Sequence, residues 1–237
     1  MLEREYTGLY AGTMTNVENL PMPSLTLVTD RNLYRRQDEN TDPLSLIEAA
    51  IEGGVHIVQL RVRQDELDEL ALFAVSLRLR ELTEGRALYV VTGDLELAEK
   101  CYADGVLLPE QSYRPSDART FLRGEGQYVG AFARDVAEAG RAERGGADYV
   151  QVGPIYADDS AHGNELALLR KVKDAVHIPV IAFGGIQTPD QVVDCIRAGA
   201  DGVAVTDAIA RAEDPRTTAV ELRTALDAAW RAIHGDI

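Results

Sequence analysis

Lysine is scarce in this chain of 237 residues, occurring only at positions 100, 171 and 173. All three fall in segments that pattern as helices, away from strand ends, so imine chemistry through a Schiff-base lysine is not expected. Cysteine is scarcer still. Cys101 and Cys195 both lie in helical segments, and nothing in their spacing suggests a disulfide or zinc framework. No pair of the histidines has metal-binding spacing. The apolar runs are far too short for a membrane span. Met1-Leu2-Glu3-Arg4-Glu5 lacks the basic start and apolar core of a signal peptide, so a cytoplasmic protein is expected. Positive charge is in deficit, with 24 basic against 39 acidic residues and a net charge of −15. That balance excludes nucleic acid or an anionic membrane as the main partner. An anionic ligand must then be drawn in by a local cluster of donors, against the field of the whole chain.

What is present is a foldable mixture, 46% apolar and 27% charged, of a length that suits one large α/β domain. Residues 1–23 read as a weakly patterned extension ending in Leu20-Pro21-Met22-Pro23. Residues 24–237 then alternate. Short apolar runs predict strands at Leu25–Thr29, His56–Leu60, Ala87–Val91, Gly105–Leu108, Tyr128–Phe132, Tyr149–Val152, Pro179–Phe183 and Gly202–Val205. Helical segments follow each one, at Pro43–Glu52, Glu66–Leu82, Leu95–Ala103, Pro115–Leu122, Val136–Arg144, Glu165–Val176, Pro189–Ala198 and Arg216–His234. Eight such units predict a single-domain (β/α)8 TIM barrel. A weak repeat supports it. Gly53-Gly54-Val55-His56, Ala103-Asp104-Gly105, Gly146-Ala147-Asp148 and Gly199-Ala200-Asp201 recur at every second unit, with Gly closing a helix and Asp suiting the short turn. A doubly wound open sheet is the alternative. It usually carries a Gly-rich loop after the first strand, and none is seen there.

In a barrel the chemistry lies at the C-terminal ends of the strands. Gln59, Arg61 and Arg63 alternate and so share one side of the second strand. Paired guanidiniums there suit a diphosphate or carboxylate, or else they pair with Asp65 and Glu66. Arg134 opens a helix, where the dipole disfavours a cation. It reads either as an anion ligand or as a charge neutralised by Asp135. His162 lies in a polar loop with Asp158 and Asp159. It is a candidate acid or base, with a solvated loop histidine as the plain alternative. The run from Ala182 to Pro189 reads as strand, glycine turn and capped helix. Its Gly184-Gly185-Ile186 turn forms an anion cradle suited to phosphate, or an ordinary crossover whose glycines only permit tight packing. A bulky residue at Gly185 is expected to abolish phosphate binding and leave the fold largely intact.

At these residues the chain resembles the thiamine phosphate synthase and TenI family, from about Leu25 to about Ile209. The resemblance is carried by Leu27-Val28-Thr29-Asp30, Val58-Gln59-Leu60-Arg61, the run from Gly146 to Tyr156, the Gly184-Gly185-Ile186 turn and the run from Gly199 to Val205. It implies a barrel that joins a hydroxymethylpyrimidine diphosphate to a thiazole phosphate and expels diphosphate, with Mg²⁺ assisting the departure. It implies that Gln59, Arg61 and Arg63 bind the diphosphate, with Arg63 where the family usually has Lys. Gly184, Gly185 and Ile186 then hold the thiazole phosphate, with Tyr156, Thr206 and Asp207 beside them. The mouth departs from the family pattern. Thr92-Gly93 stands for Asn-Asp, Leu107 for His, Ser112 for an acid and Arg134 for His. Asp158-Asp159-Ser160-Ala161 replaces Thr-x-Thr-Lys, and Asp207 replaces Ser. An acid at position 207 must point away if phosphate is to bind nearby. Asp94 and Glu110 become the nearest candidates for magnesium.

Three functions follow. The first is a divergent synthase using Arg61, Arg134 and His162 in catalysis. The second is a TenI-like or other isomerase of a phosphorylated heterocycle or sugar, with His162 or Glu110 as its base. The third is a non-catalytic binding or partner protein whose mouth is filled by Arg134, Asp207 and Glu110 pairing with one another. In that last case residues 1–23 contact a second subunit, giving a homo-oligomer.

Overall fold

A computed structural model of the chain describes residues 20–29, 42–61, 69–110, 112–122, 126–156 and 163–235. Arg63, His162 and most of the N-terminal extension lie outside the described residues. The strands are β1 (Ser24–Val28), β2 (Ile57–Leu60), β3 (Leu88–Thr92), β4 (Gly105–Leu108), β5 (Tyr128–Ala133), β6 (Tyr149–Val152), β7 (Val180–Phe183) and β8 (Gly202–Val205). They pair in parallel in chain order, and β8 returns to β1 with Leu25 opposite Val203, so the sheet closes. This is the expected (β/α)8 barrel and not an open sheet.

The helices among the described residues are α1 (Pro43–Glu52), α2 (Glu69–Thr83), α3 (Leu95–Lys100), α4 (Pro115–Phe121), α5 (Val136–Arg144), α6 (Gly163–Ala175), α7 (Pro189–Arg197), α8 (Asp207–Ala210) and α9 (Pro215–His234). Local chemistry sets their starts. Asp42, Asp94, Asp135, Thr188 and Asp214 are N-caps whose side chains accept from first-turn N–H groups. Two expectations need correction. The third helix ends at Lys100 and not Ala103, because Tyr102 takes a positive φ of 52° that an α-helix cannot continue. The short helix α8 was not expected, since four residues are too few to show a helical period.

Two apolar layers hold the fold. Val58, Val91, Val150 and Val203 face outward and pack with Leu46, Ile47, Val192 and Leu222 of the helices. Ile57, Val90, Leu107, Tyr128, Tyr149 and Ile181 fill the barrel interior. Each such burial stabilises by about 1.5–3 kcal/mol. Gly130 makes room for one of them, since a Cβ there would lie 2.2 Å from Cζ of Tyr149. Leu20 and Met22 pack with this interior cluster, so the last residues of the extension belong to the barrel core.

The two-unit repeat has a physical cause that the turn reading missed. Asp104 donates its N–H to the Tyr89 carbonyl at 2.8 Å, and its carboxylate accepts from the Tyr89 N–H at 2.7 Å. Asp148 clasps Val129 of β5 in the same reciprocal way, at 2.8 and 2.7 Å. Asp201 clasps Val180 of β7, at 2.7 and 2.8 Å. A cation from the helix lying before each clasped strand completes each carboxylate: Arg80 of α2, Arg119 of α4 and Lys173 of α6. His56 takes the fourth place. It donates its N–H to the Leu25 carbonyl, and its Nδ1 accepts from the Leu25 N–H, both at 2.9 Å. Arg223 of α9 lies against its Nε2 and is itself paired with Asp227.

His56 must stay neutral in this clasp, because a proton on Nδ1 would face the Leu25 N–H. Burial first, and then the Arg223 charge, lowers its pKa to about 4, with Asp227 opposing. Between pH 6.5 and pH 4 the unfolded chain therefore takes up a proton that the folded chain refuses. The clasp contributes fully above pH 6.5 and is lost as the pH falls towards 4. Denaturant titrations of the wild type and His56→Gln should show the wild type's advantage shrinking over that range, on the order of 2 kcal/mol once solvent screening is allowed for. An advantage independent of pH would contradict a neutral His56.

Candidate active site at the C-terminal mouth of the barrel

Six residues in the strands, Gln59, Thr92, Leu107, Phe132, Gln151 and Phe183, and five just beyond them, Arg61, Pro109, Glu110, Arg134 and Pro154, line a cavity of about 450 Å³. They come from β2 through β7 and converge because each strand delivers its last inward residue to the same end. The structure thus brings Gln59, Arg61, Glu110 and Arg134 together, as the sequence predicts for one face of a barrel.

Gln59 is buried and fixed at both ends of its amide. Its Nε2 donates to Thr92 Oγ1 at 3.0 Å, and its Oε1 accepts from Gln151 Nε2 at 2.9 Å. Gln151 was missed by sequence reasoning. The signal was available, since it is the polar residue in the otherwise apolar strand Tyr149–Val152 and shares the inward parity of Tyr149. Arg61 follows the end of β2, with its N–H donating to Thr29 Oγ1 at 3.2 Å. Its guanidinium carbon lies 5.6 Å from the centre of the Phe183 ring, a cation–π contact. Phe183 in turn meets Phe132 edge to face, with centroids 6.0 Å apart. One wall of the cavity is therefore aromatic and suits a flat ring.

Arg134 forms an ion pair with Glu110 across the β4 and β5 ends. The expectation that Asp135 neutralises it is corrected: Asp135 caps α5, accepting from Glu138 N–H at 2.7 Å. Asp94 does not join Glu110. Its carboxylate accepts from Leu97 N–H at 2.9 Å as the cap of α3, and it lines a separate cavity with Glu69, Phe73 and Lys100. Ser112 turns back to the Pro109 carbonyl at 2.6 Å. Among the described residues no cluster of three His, Cys, Asp or Glu side chains is placed to hold a metal ion. With Glu110 held by Arg134 and Asp94 turned to its helix cap, these two acids do not fit the magnesium ion that the resemblance implies.

The glycine turn lies beside this cavity, next to Phe183 and Pro154. Gly184 and Gly185 have φ of 96° and 73°. Tyr156 N–H donates to the Gly184 carbonyl at 2.9 Å, which locks the β6 loop onto the turn. Among the described residues, the Gly185 and Ile186 N–H groups make no backbone hydrogen bond. The following N–H groups, of Gln187 and Thr188, are taken by Gln191 Oε1 in a capping box. After β8, the strand that neighbours β7, Thr206 precedes α8 and gives it no side-chain cap. A late-strand turn joined by a short extra helix is the usual phosphate site of such barrels. Ile186 buries its side chain in the core and offers only its N–H. The Asp207 carboxylate pairs with Arg211 at 3.1 Å, so its charge is directed along α8. Of the pairing that the plugged-mouth reading expected, the Arg134–Glu110 contact is present and Asp207 stands apart from it.

Tyr156 is partly buried and packs against the core. Burial pushes its hydroxyl up to about 12, with the Cys195 thiol and the Asp194 carboxylate adding to the shift. Its backbone N–H meanwhile holds the turn at the Gly184 carbonyl. The expectation for Gly185 also changes. A Cβ there would lie 1.8 Å from the Tyr156 carbonyl oxygen, so a larger residue must displace the β6 loop as well as any ligand. Gly185→Ala should cost about 2–4 kcal/mol in a thermal or denaturant melt, in addition to loss of phosphate binding. A variant of wild-type stability would show that the two loops are not locked together.

Comparisons with known proteins place the chain's sequence and fold beside one family. The family model described as thiamine monophosphate synthase matches residues 25–209. A thiamine-phosphate synthase from Methanoculleus marisnigri is 37% identical over 210 residues, covering 86% of this chain and 96% of that protein. The thiamine biosynthesis bifunctional protein ThiED from Geobacter sulfurreducens is 36% identical over 197 residues, and the match spans 81% of this chain but 39% of that longer protein. Among solved structures, thiamine phosphate pyrophosphorylase from Pyrococcus furiosus superposes with a TM-score of 0.76 at 31% identity, covering 87% of this chain and 96% of that one.

Proposed function

Since the chain belongs to the thiamine monophosphate synthase and TenI family, we propose that it joins a hydroxymethylpyrimidine diphosphate to a thiazole phosphate, releasing diphosphate. The observation that carries the reading is one mouth combining the Gln59 and Arg61 edge of β2, an aromatic wall, and the open N–H groups after β7. The thiazole phosphate rests on the Gly185 and Ile186 N–H groups and the start of α8. The pyrimidine lies against Phe132 and Phe183, with its polar edge at Gln59 and Gln151. The bond between the pyrimidine methylene carbon and the diphosphate oxygen breaks, and its electron pair leaves with the diphosphate. The thiazole nitrogen lone pair then forms the new C–N bond. Arg61 and Arg134 stabilise the charge that grows on the leaving group. Magnesium assistance is not part of this account, because Glu110 and Asp94, its candidate ligands, are engaged by Arg134 and by a helix cap.

This reaction needs no proton transfer at the reacting carbon. An isomerase does, and Glu110, the described candidate for its base, is engaged by Arg134. That contact favours the synthase reading over the isomerase. The two free, buried cysteines suit a reducing compartment such as the cytoplasm.

The direct test is formation of thiamine phosphate from both substrates by the purified chain. Turnover is expected, with kcat/KM about a hundredfold lower in Arg61→Ala. No product, with thiazole phosphate binding intact, would leave a binding protein in place of an enzyme.

A further inference from the structure

Magnesium prefers octahedral oxygen ligation, and protein sites for it supply one or two carboxylates. The mouth offers little of that. Among the described residues lining the cavity, Glu110 is the carboxylate, and its Oε1 faces Arg134 Nε. Arg61 lines the same cavity. Asp94 caps α3 and belongs to the cavity between α2 and α3. A divalent cation placed here would meet two guanidiniums and one committed acid. The same charges suit an anion.

We propose that the mouth binds diphosphate directly on Arg61 and Arg134, without a divalent cation, and that Glu110 is a positioning residue for Arg134. The proposal rests on the synthase reading and specifies its leaving-group site. Glu110 engages the guanidinium at Nε, and the Nη groups are the donors a ligand would meet. The acid is 21% exposed and the arginine 65% exposed, so the acid anchors the arginine from the inner side of the mouth. Phe183 supports the other guanidinium and reduces the ordering that binding must impose. The Glu110 charge also offsets the repulsion between two cations at one opening. Two planar forks thus meet the ligand's phosphoryl oxygens, which guanidiniums bind bidentately.

Titration calorimetry with inorganic diphosphate tests this on the full chain, once in EDTA and once in magnesium. The two dissociation constants should agree within about threefold. Arg61→Ala and Arg134→Ala should each weaken binding about tenfold or more. Glu110→Gln still accepts from Nε but lacks the charge, so it should bind diphosphate more tightly than the wild type. A melt of each variant shows that it is folded, and the exposed Arg134 side chain makes Arg134→Ala the safest of them. Binding seen only with magnesium and lost in Glu110→Gln would overturn the inference and make Glu110 a metal ligand. No binding in either condition would overturn it too. Titration with thiazole phosphate then separates the cases, since binding retained there leaves the family reading standing and binding lost removes it as well.

Discussion

Each even-numbered strand is preceded by a residue that holds the odd-numbered strand before it twice, once through its own N–H and once through its side chain. His56, Asp104, Asp148 and Asp201 do this for Leu25, Tyr89, Val129 and Val180. A reciprocal clasp leaves neither partner free to slide, so it fixes register, and register decides which residues face inward. A slip of one residue on β2 would turn Gln59 out of the barrel and Val58 in. The cations of α2, α4 and α6 that complete the three carboxylates also tie the helical layer to the strand starts. The arrangement at the mouth is therefore set from the opposite end of the barrel.

The mouth resolves a conflict between local and global charge. A chain of net charge −15 repels the anions that its family handles. The described acids near the mouth are each engaged. Glu110 meets Arg134, Asp207 meets Arg211, and Asp94 and Asp135 cap helices. What remains facing a ligand is guanidinium and backbone N–H. The same engagement leaves a divalent cation poorly provided for among these residues. In an acidic protein, spending carboxylates on caps and pairs is how a small region becomes attractive to anions.

The fold was legible in the sequence because alternation of short apolar runs with capped helical segments leaves few architectures, and the two-unit repeat narrowed them further. The glycine turn was legible for a similar reason, since consecutive glycines before a capped helix allow a positive φ at each. The Gly185 contact with Tyr156 was not legible, because it joins residues on different loops. Arg134 had two partners on offer in the sequence, its neighbour Asp135 and the more distant Glu110, and only the fold decides for Glu110, which lies across a strand boundary. Asp94 looked available in sequence and proved to be a cap, a role that an acid before a helical run always competes for. Gln151 carried a readable sign, a polar residue at an inward position, but its meaning depended on Gln59 lying opposite. The meaning of the aspartates in the repeat likewise depended on strand pairing.

The central claim is that guanidiniums stand where the family resemblance places a metal-bound diphosphate. Crystals grown with inorganic diphosphate and manganese, measured at the manganese absorption edge, test it most directly. The account predicts diphosphate density on Arg61 and Arg134, with Glu110 still against the Arg134 Nε and no anomalous peak between them. An anomalous peak coordinated by Glu110 and the diphosphate, with Arg134 displaced, would contradict it.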